Sequence, residues 1–222
     1  TTISIQISII YVSITMACTL AYFAFGISAF DATVHAMTTV ATGGFSNYDA
    51  SFAAFPAAVE YVAVVFMILA ALPFVRYVQL LNGDQTAVFK DAQVRSFLTV
   101  ILVLVILTAL VLFSLGQLEK EAAARKALFN ITSIISGTGY VSSDYMQWGS
   151  FLVTLFFFIG LIGGCAGSTA CSVKIFRYQL VFASVRSQLR KIKSPNGVFV
   201  PQYDGLAIDD EVLNSVMSFF TF

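Results

Sequence analysis

The sequence predicts an all-α integral membrane protein, and three observations support this fold class. Hydrophobic residues make up 58% of the 222 residues and charged residues only 11%, and the mean hydropathy is +0.86. Soluble proteins carry roughly 25% charged residues. Four charge-poor stretches are each long enough to cross a bilayer, since about 20 helical residues span its hydrocarbon core. Finally, one order of elements occurs twice along the chain, which predicts tandem repeats.

The first repeat is predicted to contain two spans, at about 3–28 and 57–80. Between them we expect a short helix at about 32–41, with Asp31 as its N-cap, followed by a glycine loop. Pro73 is expected to bend the second span.

The second repeat follows the polar connector NGDQTAVFKDAQVR. It is predicted to contain spans at about 96–117 and 148–182, with a short helix at about 121–136 and another glycine loop between them. Glu119 and Glu121 place negative charge at the start of that helix, where its dipole favours it. Because both short helices are too short to span, each is expected to enter the membrane and stop part-way, as in a re-entrant loop.

We therefore divide the chain into residues 1–82, 83–194 and 195–222. The last segment is predicted to form a small cytoplasmic hairpin with turns at Asn196-Gly197 and Asp204-Gly205. The acidic run that starts at Asp209 is expected to begin the first span of a further unit.

The two glycine loops are similar to each other. "TTVATGGFSNYD" and "SIISGTGYVSSD" superpose at an offset of 95 residues, which aligns Gly44 with Gly139 and Phe45 with Tyr140. The match alone is weak, but together with the repeated order of elements it indicates an internal duplication.

Basic residues are unevenly distributed between the two predicted sides of the membrane. Nine lie around the connector of the second and third spans or toward and beyond the end of the fourth, and three lie on the other side. Since basic loops stay inside, both glycine loops are predicted to face outward. The cationic run from Arg186 to Lys193 could also dock a cytoplasmic regulator or anionic lipid, although topology alone explains it.

The sequence disfavours an enzyme. Its three cysteines lie in apolar runs without the spacing of a metal site, and its only histidine is His35. The spans contain no nucleophile with a base and no pair of acids. We expect His35 to form structural hydrogen bonds rather than bind an ion. Glu60 and Asp49 either concentrate cations near the outer mouth or are polar residues at headgroup level.

The glycine loops have the composition of a cation filter. A helix that ends at such a loop directs its negative dipole end, and then successive carbonyl groups, to one place. Carbonyl rings replace the hydration shell of the ion in potassium channels. Gly44 and Gly139 permit the left-handed backbone that turns carbonyls inward, Phe45 and Tyr140 can pack outward, and Thr42 can add a hydroxyl at the inner end. The alternative is that these are ordinary glycine turns.

Four segments carry a resemblance to a known family: "TTVATGGFS", "AAVEYVAVVFMILAAL", "FNITSIISGTGYVSSDYMQWGSF" and "FIGLIGGCAGSTACSVKIFRYQL". They resemble the second and third repeats of the Trk/Ktr family of potassium-uptake membrane subunits. The resemblance implies a potassium-channel-like fold of span, pore helix, filter loop and span. It also implies four repeats around one pore, of which this chain holds two. The implied ion-binding residues are Thr42, Gly43, Gly44, Phe45, Gly137, Thr138, Gly139 and Tyr140.

The glycine-rich stretch "GLIGGCAGSTACS" in the fourth span has two interpretations. Its glycines fit GxxxG packing between helices. The resemblance instead implies a flexible intramembrane gate below the filter, formed by Gly163, Gly164, Gly167, Ser168 and Thr169. Ala170 and Cys171 stand where the family commonly has serine and glycine, and Gly137 where threonine is usual.

The expected function is potassium uptake with K⁺ as the transported ion, no covalent chemistry and no covalently bound cofactor. The alternative is a non-conducting membrane scaffold subunit. The resemblance further implies a homodimer of full-length subunits in the bacterial inner membrane. The expected partner is a cytoplasmic nucleotide-binding regulatory subunit. A nucleotide is expected to act only through that subunit. No nucleic-acid partner is expected.

Overall fold

The computed structural model describes residues 2–116, 118–194, 197 and 199–221, and these are mostly helical. The helices are α1 (Thr2–Ala24), α2 (Ala29–Val40), α3 (Ala57–Ala71), α4 (Phe74–Leu81), α5 (Ala87–Lys90), α6 (Ala92–Ser114), α7 (Lys120–Ile135), α8 (Ser150–Ile159), α9 (Ile175–Lys193) and α10 (Asp210–Thr221). Two short 3₁₀ helices, Ser51–Ala54 and Tyr145–Gln147, follow the glycine loops. Two pairs of two-residue strands are also present: β1 (Ile162–Gly163) with β2 (Val173–Lys174), and β3 (Gln202–Tyr203) with β4 (Leu206–Ala207). The predicted all-α membrane fold is confirmed.

The helices α1 and α6 are each long and apolar enough to cross a membrane. Their apolar segments, Ile3–Ala24 and Ala92–Ser114, are 22 and 23 residues long and have mean hydropathies of 1.8 and 3.0. Only 17% and 22% of the most apolar window of each is buried inside the chain. Most of their apolar surface therefore remains available to lipid.

The second predicted span is bent far more than a smooth helix allows. Helices α3 and α4 meet at an angle of 88°. Leu72 is extended (φ −87°, ψ 157°) because the ring of Pro73 excludes the helical conformation of the preceding residue, and Pro73 has no N–H to continue the helix. The bend predicted at Pro73 is present.

The first short helix begins earlier than predicted. Ser28, not Asp31, is its N-cap: the Ser28 hydroxyl accepts a hydrogen bond from Asp31 N at 3.1 Å. The same hydroxyl lies 2.8 Å from the Asp31 carboxylate. The prediction failed because both residue types cap helices and they stand three positions apart, as in a capping box. Asp31 lies in the first turn.

The hydrophobic core consists of two main clusters that cross the boundary between the two halves of the chain. One contains Cys18, Tyr22 and Met67 from the first half and Phe129 and Tyr140 from the second. The other lies around α6, α7 and α8 but also contains Ala71 and Leu72. Residues from both halves therefore pack in common cores.

The C-terminal segment contains the predicted turn at Asp204-Gly205. It joins β3 and β4 with both residues at positive φ (50° and 81°), as a tight hairpin turn of this type requires. Asn196 of the other predicted turn lies outside the described residues. The division of the chain into three segments remains a prediction.

Candidate functional site

The two glycine loops fold back onto their short helices through the same pair of hydrogen bonds. The hydroxyl groups of Thr38 and Ser133 lie 2.9 and 2.7 Å from the carbonyl oxygens of Phe45 and Tyr140. The amides of Gly44 and Gly139 donate to the carbonyl oxygens of the same two hydroxyl residues, at 3.4 and 3.1 Å. Since all four pairs are related by the offset of 95 residues, the likeness seen in the sequence extends to the hydrogen bonds.

Both loops also use the left-handed backbone at equivalent positions. Gly44 and Gly139 have φ of +67° and +84°, and Thr42 and Gly137 have φ of +50° and +76°. Positive φ is uncommon for a β-branched residue, so the conformation of Thr42 must be held by its surroundings. The expected left-handed glycines are present.

The loops lie directly against each other. A Cβ atom built on Gly44 would lie 1.9 Å from the carbonyl oxygen of Thr138. On the side predicted to be extracellular, the Phe52 amide donates to the Val141 carbonyl oxygen at 3.0 Å. The two loops, which are 95 residues apart in the sequence, are therefore in direct contact. Only glycine fits at the point of contact, Gly44.

Several carbonyl groups in the loops have no hydrogen-bond donor among the described residues: those of Thr42, Gly43, Gly44, Thr138 and Gly139. The remaining predicted contact oxygens, those of Phe45, Gly137 and Tyr140, each accept one side-chain hydrogen bond. A carbonyl oxygen has two lone pairs, so each of these three can still approach an ion. Gly44 and Gly139 line an open cavity, so carbonyl groups of both loops lie where water or an ion could reach them.

The two aromatic residues that follow the key glycines have different environments, although the sequence predicted the same outward packing for both. Tyr140 is 1% exposed, and its ring centroid lies 4.3 Å from that of Phe52. Its hydroxyl contacts Thr38 and donates to the His35 carbonyl oxygen at 3.0 Å. Phe45 is 75% exposed and therefore does not brace its loop within this chain.

His35 forms the structural hydrogen bonds that were expected. Nδ1 lies 2.8 Å from the Asp31 carbonyl oxygen, and Nε2 lies 3.0 Å from Ser46 Oγ. The ring is buried and packs edge-on against Phe52 and Phe55. It connects the start of α2 to the segment that follows the first loop.

Asp31 ties the same segment to the start of α2. Its carboxylate accepts hydrogen bonds from Asn47 Nδ2 at 2.8 Å and from the Tyr48 hydroxyl at 2.9 Å. These bonds favour the charged form, so the pKa of Asp31 is lowered, chiefly by Asn47 and then by Ser28 and Tyr48.

Glu60 has neither of the two roles considered from the sequence. It is 1% exposed, and its Oε1 lies 2.7 Å from both Arg125 Nη1 and Lys126 Nζ on α7. Lys126 also donates to the Ser142 carbonyl oxygen at 2.7 Å. Glu60 therefore links α3 to the segment just beyond the second loop. Asp49, in contrast, is exposed and lines an open cavity with Gly44, Gly139 and Asp144.

The glycine-rich stretch of the fourth predicted span is not helical. Helix α8 ends at Ile159 and α9 begins at Ile175, and β1 and β2 form a parallel bridge that closes the intervening loop. We call residues 164–172 the intramembrane loop, because they lie within the fourth predicted span. A Cβ atom on Gly163 would lie 2.1 Å from the Cys171 carbonyl oxygen, so glycine is required for close backbone approach within the loop. Packing between continuous helices through GxxxG does not occur here.

The intramembrane loop binds the carbonyl groups that the bend at Pro73 leaves unpaired. The Cys165 amide donates to the Ala71 oxygen at 3.0 Å, and the Thr169 amide donates to the Ala70 oxygen at 3.3 Å. In return, the Phe74 amide donates to the Gly167 oxygen at 3.0 Å. Two broken helices thus satisfy each other's backbone, as non-helical structure at membrane depth requires.

The intramembrane loop also contacts the predicted filter. Thr169 Oγ1 lies 3.0 Å from the Val40 oxygen at the end of α2 and 2.9 Å from the Ala70 oxygen. Thr42 Oγ1 lies 2.8 Å from the Thr169 carbonyl oxygen and 2.7 Å from the Ala41 carbonyl oxygen. The Thr42 hydroxyl therefore bonds to carbonyl groups of the protein. Cys171 Sγ lies 3.3 Å from the Gly137 oxygen. Of the five predicted gate residues, Thr169 is the one with side-chain bonds to other elements, while Ser168 caps the loop internally through the Cys165 oxygen at 2.7 Å.

Sequence reasoning missed the roles of Thr38, Ser133, Cys171 and Lys126. Thr38 and Ser133 aligned in the repeat, and both precede a glycine by a few residues, so the signal for the hydroxyl pair was present. The partners of Cys171 and Lys126 lie 34 and 16 residues away, and no local pattern identifies them.

Comparison with known proteins gives a consistent result. A family model described as a cation transport protein matches residues 1–222. The chain is 38% identical over 216 residues to a Trk system potassium uptake protein of Halomonas elongata, covering 96% of this chain and 44% of that protein. It is 31% identical to a Trk system potassium uptake protein of Escherichia coli K12, with 96% and 45% covered. The crystal structure of a potassium transporter from Vibrio parahaemolyticus superposes with a TM-score of 0.91 at 31% identity, covering 96% of this chain and 46% of that one. The chain thus spans less than half the length of these relatives.

Proposed function

The chain belongs to the TrkH family of cation transport proteins, and from this premise we propose that it supplies two of the filter loops of a potassium-uptake pore. The names of the relatives support potassium as the ion. The observation that carries the proposal is the direct contact of Gly44 with the Thr138 carbonyl group between two loops with equivalent hydrogen bonds.

The loops provide the chemistry that permeation needs. Moving a bare monovalent cation into a low-dielectric environment costs tens of kcal/mol, so several oxygens must replace its water at once. Five carbonyl oxygens without donors among the described residues, in two adjacent loops, fit this requirement. We retain as contacts the backbone of Thr42, Gly43, Gly44, Phe45, Gly137, Thr138, Gly139 and Tyr140.

Two loops cannot enclose an ion, and Phe45 is exposed on this chain. We propose that the remaining length of the full protein supplies the rest of the filter and covers Phe45. Full-length subunits would pair as a homodimer in the bacterial inner membrane, with a cytoplasmic nucleotide-binding subunit as regulator. The basic residues near the end of α9, Arg190, Lys191 and Lys193, support a cytoplasmic position for that end.

We propose that the intramembrane loop is the gate. It lies between the broken ends of α8 and α9 and is bonded to Val40, Thr42 and Gly137 of the two filter segments. A displacement of this loop would therefore move the backbone that is proposed to bind the ion. Gly163, Gly164, Gly167, Ser168 and Thr169 are the proposed gating residues.

The test is the substitution Gly139→Ser in the full-length protein, reconstituted in proteoliposomes. Space is available at this position, but φ of +84° is strained for serine. The cost of about 1 kcal/mol or more is expected to shift the carbonyl groups and lower the ratio of rubidium to sodium uptake several-fold. Unchanged fluxes of both ions would contradict the filter assignment. Absence of uptake by the unmodified protein would favour a non-conducting scaffold.

A further inference from the structure

The two filter loops differ at one pair of equivalent positions, Thr42 and Gly137. Both residues have a left-handed backbone, so the difference lies only in the side chain. In the first loop, Thr42 Oγ1 lies 2.8 Å from the Thr169 oxygen, and the filter residue thereby contacts the intramembrane loop. In the second loop, Gly137 has no side chain with which to make such a contact.

The intramembrane loop provides the missing side chain itself. Cys171 Sγ lies 3.3 Å from the Gly137 carbonyl oxygen, within range of an S–H donor. A Cβ atom built on Gly137 would lie only 2.5 Å from Cys171 Sγ and 2.9 Å from the Cys171 amide nitrogen. The thiol therefore fills the space that a side chain at Gly137 would need.

We propose that Cys171 is a specificity-determining positioning residue, whose thiol sets the position of the Gly137 carbonyl group at the inner end of the filter. Both filter loops are then fastened to the intramembrane loop, but in opposite directions. Thr42 reaches from the filter to the loop, and Cys171 reaches from the loop to the filter. The inference rests on the proposed function, because it assumes that the Gly137 oxygen contacts the permeating ion.

Selectivity depends on the number and placement of the coordinating oxygens. An S–H group is a weak donor, and the carbonyl oxygen keeps a second lone pair for an ion. The thiol can therefore hold the oxygen in place without withdrawing it from the ion. Removal of the thiol leaves Gly137 with a left-handed backbone and no contact from Cys171 Sγ.

The test is a double-mutant cycle on the full-length protein in proteoliposomes, read as the ratio of rubidium to sodium uptake. Cys171→Gly is expected to lower the ratio about two- to fivefold, because the loss of a weak S–H donor lies in the lower part of the range for one hydrogen bond. Cys171→Ser retains a donor and should keep the ratio within about twofold. Gly137→Thr should lose most uptake, because its Cβ meets both Sγ and the backbone of Cys171.

Rubidium uptake by the double variant Gly137→Thr/Cys171→Gly should be at least about threefold higher than uptake by Gly137→Thr. The effects of substitutions at two contacting residues are not additive. Gly116→Thr is the matched control for backbone strain, since Gly116 has φ of +65° and nothing within 4 Å of its Cβ position. It should leave the ratio unchanged.

A wild-type ratio in Cys171→Gly would overturn the inference while uptake by the unmodified protein still supports the proposed function. Strictly additive effects in the cycle would also overturn it. If Gly137→Thr fails to fold, the comparison of Cys171→Gly with Cys171→Ser decides alone. No rubidium uptake by the unmodified protein would overturn both proposals.

Discussion

Substitution of Glu60 by glutamine tests whether a buried charge cluster holds the second proposed filter loop in place. Glu60 Oε1 lies 2.7 Å from the charged groups of both Arg125 and Lys126. The other carboxylate oxygen, Oε2, has no partner among the described residues. In Glu60→Gln, Lys126 would lose its carboxylate partner in a largely buried site, and Arg125 would keep only the exposed carboxylate of Glu121. Removal of one partner from a buried ion pair costs about 3–5 kcal/mol.

The effect should reach the filter because Lys126 also binds the Ser142 carbonyl oxygen, two residues beyond Tyr140. We expect Glu60→Gln to destabilise the full-length protein by about 3 kcal/mol or more in thermal or denaturant unfolding in detergent. The ratio of rubidium to sodium uptake should fall in the same variant.

Glu121→Gln is the matched control. Glu121 lies 2.9 Å from the same Arg125, but its side chain is 64% exposed, and an exposed pair contributes about 0–1 kcal/mol. The double variant Glu60→Gln/Lys126→Gln should recover part of the lost stability, since one unpaired charge is removed. Equal, small effects of Glu60→Gln and Glu121→Gln would refute the reasoning.

Three further predictions concern the filter, the gate and acid stability. Gly44→Ala should lower rubidium uptake more than about tenfold, because its Cβ meets the Thr138 oxygen at 1.9 Å; Gly43→Ala should have the smaller effect, since the nearest atom to its Cβ position is a side-chain carbon at 3.3 Å. Thr169→Val removes the hydroxyl that holds the intramembrane loop and should change the open fraction in single-channel or flux recordings, whereas Thr169→Ser should not. Asp31 has a lowered pKa in the folded protein, so its stabilising contribution is present above its unfolded pKa of about 3.9 and is lost as the pH falls through the folded value. In Asp31→Asn, the free energy of unfolding should therefore depend less on pH in the acidic range. The same acidic pH dependence as in the unmodified protein would contradict this.

The elements that the sequence predicts well are those with a local cause. Long charge-free runs became α1 and α6, the glycine loops adopted positive φ at Gly44 and Gly139, and Pro73 bent the second span. The glycines of the fourth span have low helix propensity, but they fitted packing between helices equally well, and the family resemblance favoured the break.

The contacts that define the candidate site are not local. Thr42 and the Thr169 oxygen are 127 residues apart, and Glu60 and Lys126 are 66 residues apart. No spacing rule connects such pairs, because they meet only when the two halves pack. The same holds for the capture of the Ala70 and Ala71 carbonyl groups, which requires two helices to break at the same depth.

The difference between Phe45 and Tyr140 shows a further limit. The repeat alignment treats them as equivalent. Tyr140, however, packs against Phe52 and contacts the hydroxyl of Thr38, while the side chain of Phe45 is exposed. Internal symmetry predicts backbone geometry here better than side-chain packing.

The most direct test of the central claim is the structure of the full-length protein determined in thallium. We expect anomalous density for thallium between the loops, within coordination distance of the backbone oxygens around Gly44 and Gly139. Density absent from this position, or these oxygens bonded to amide groups of the remaining chain, would contradict it.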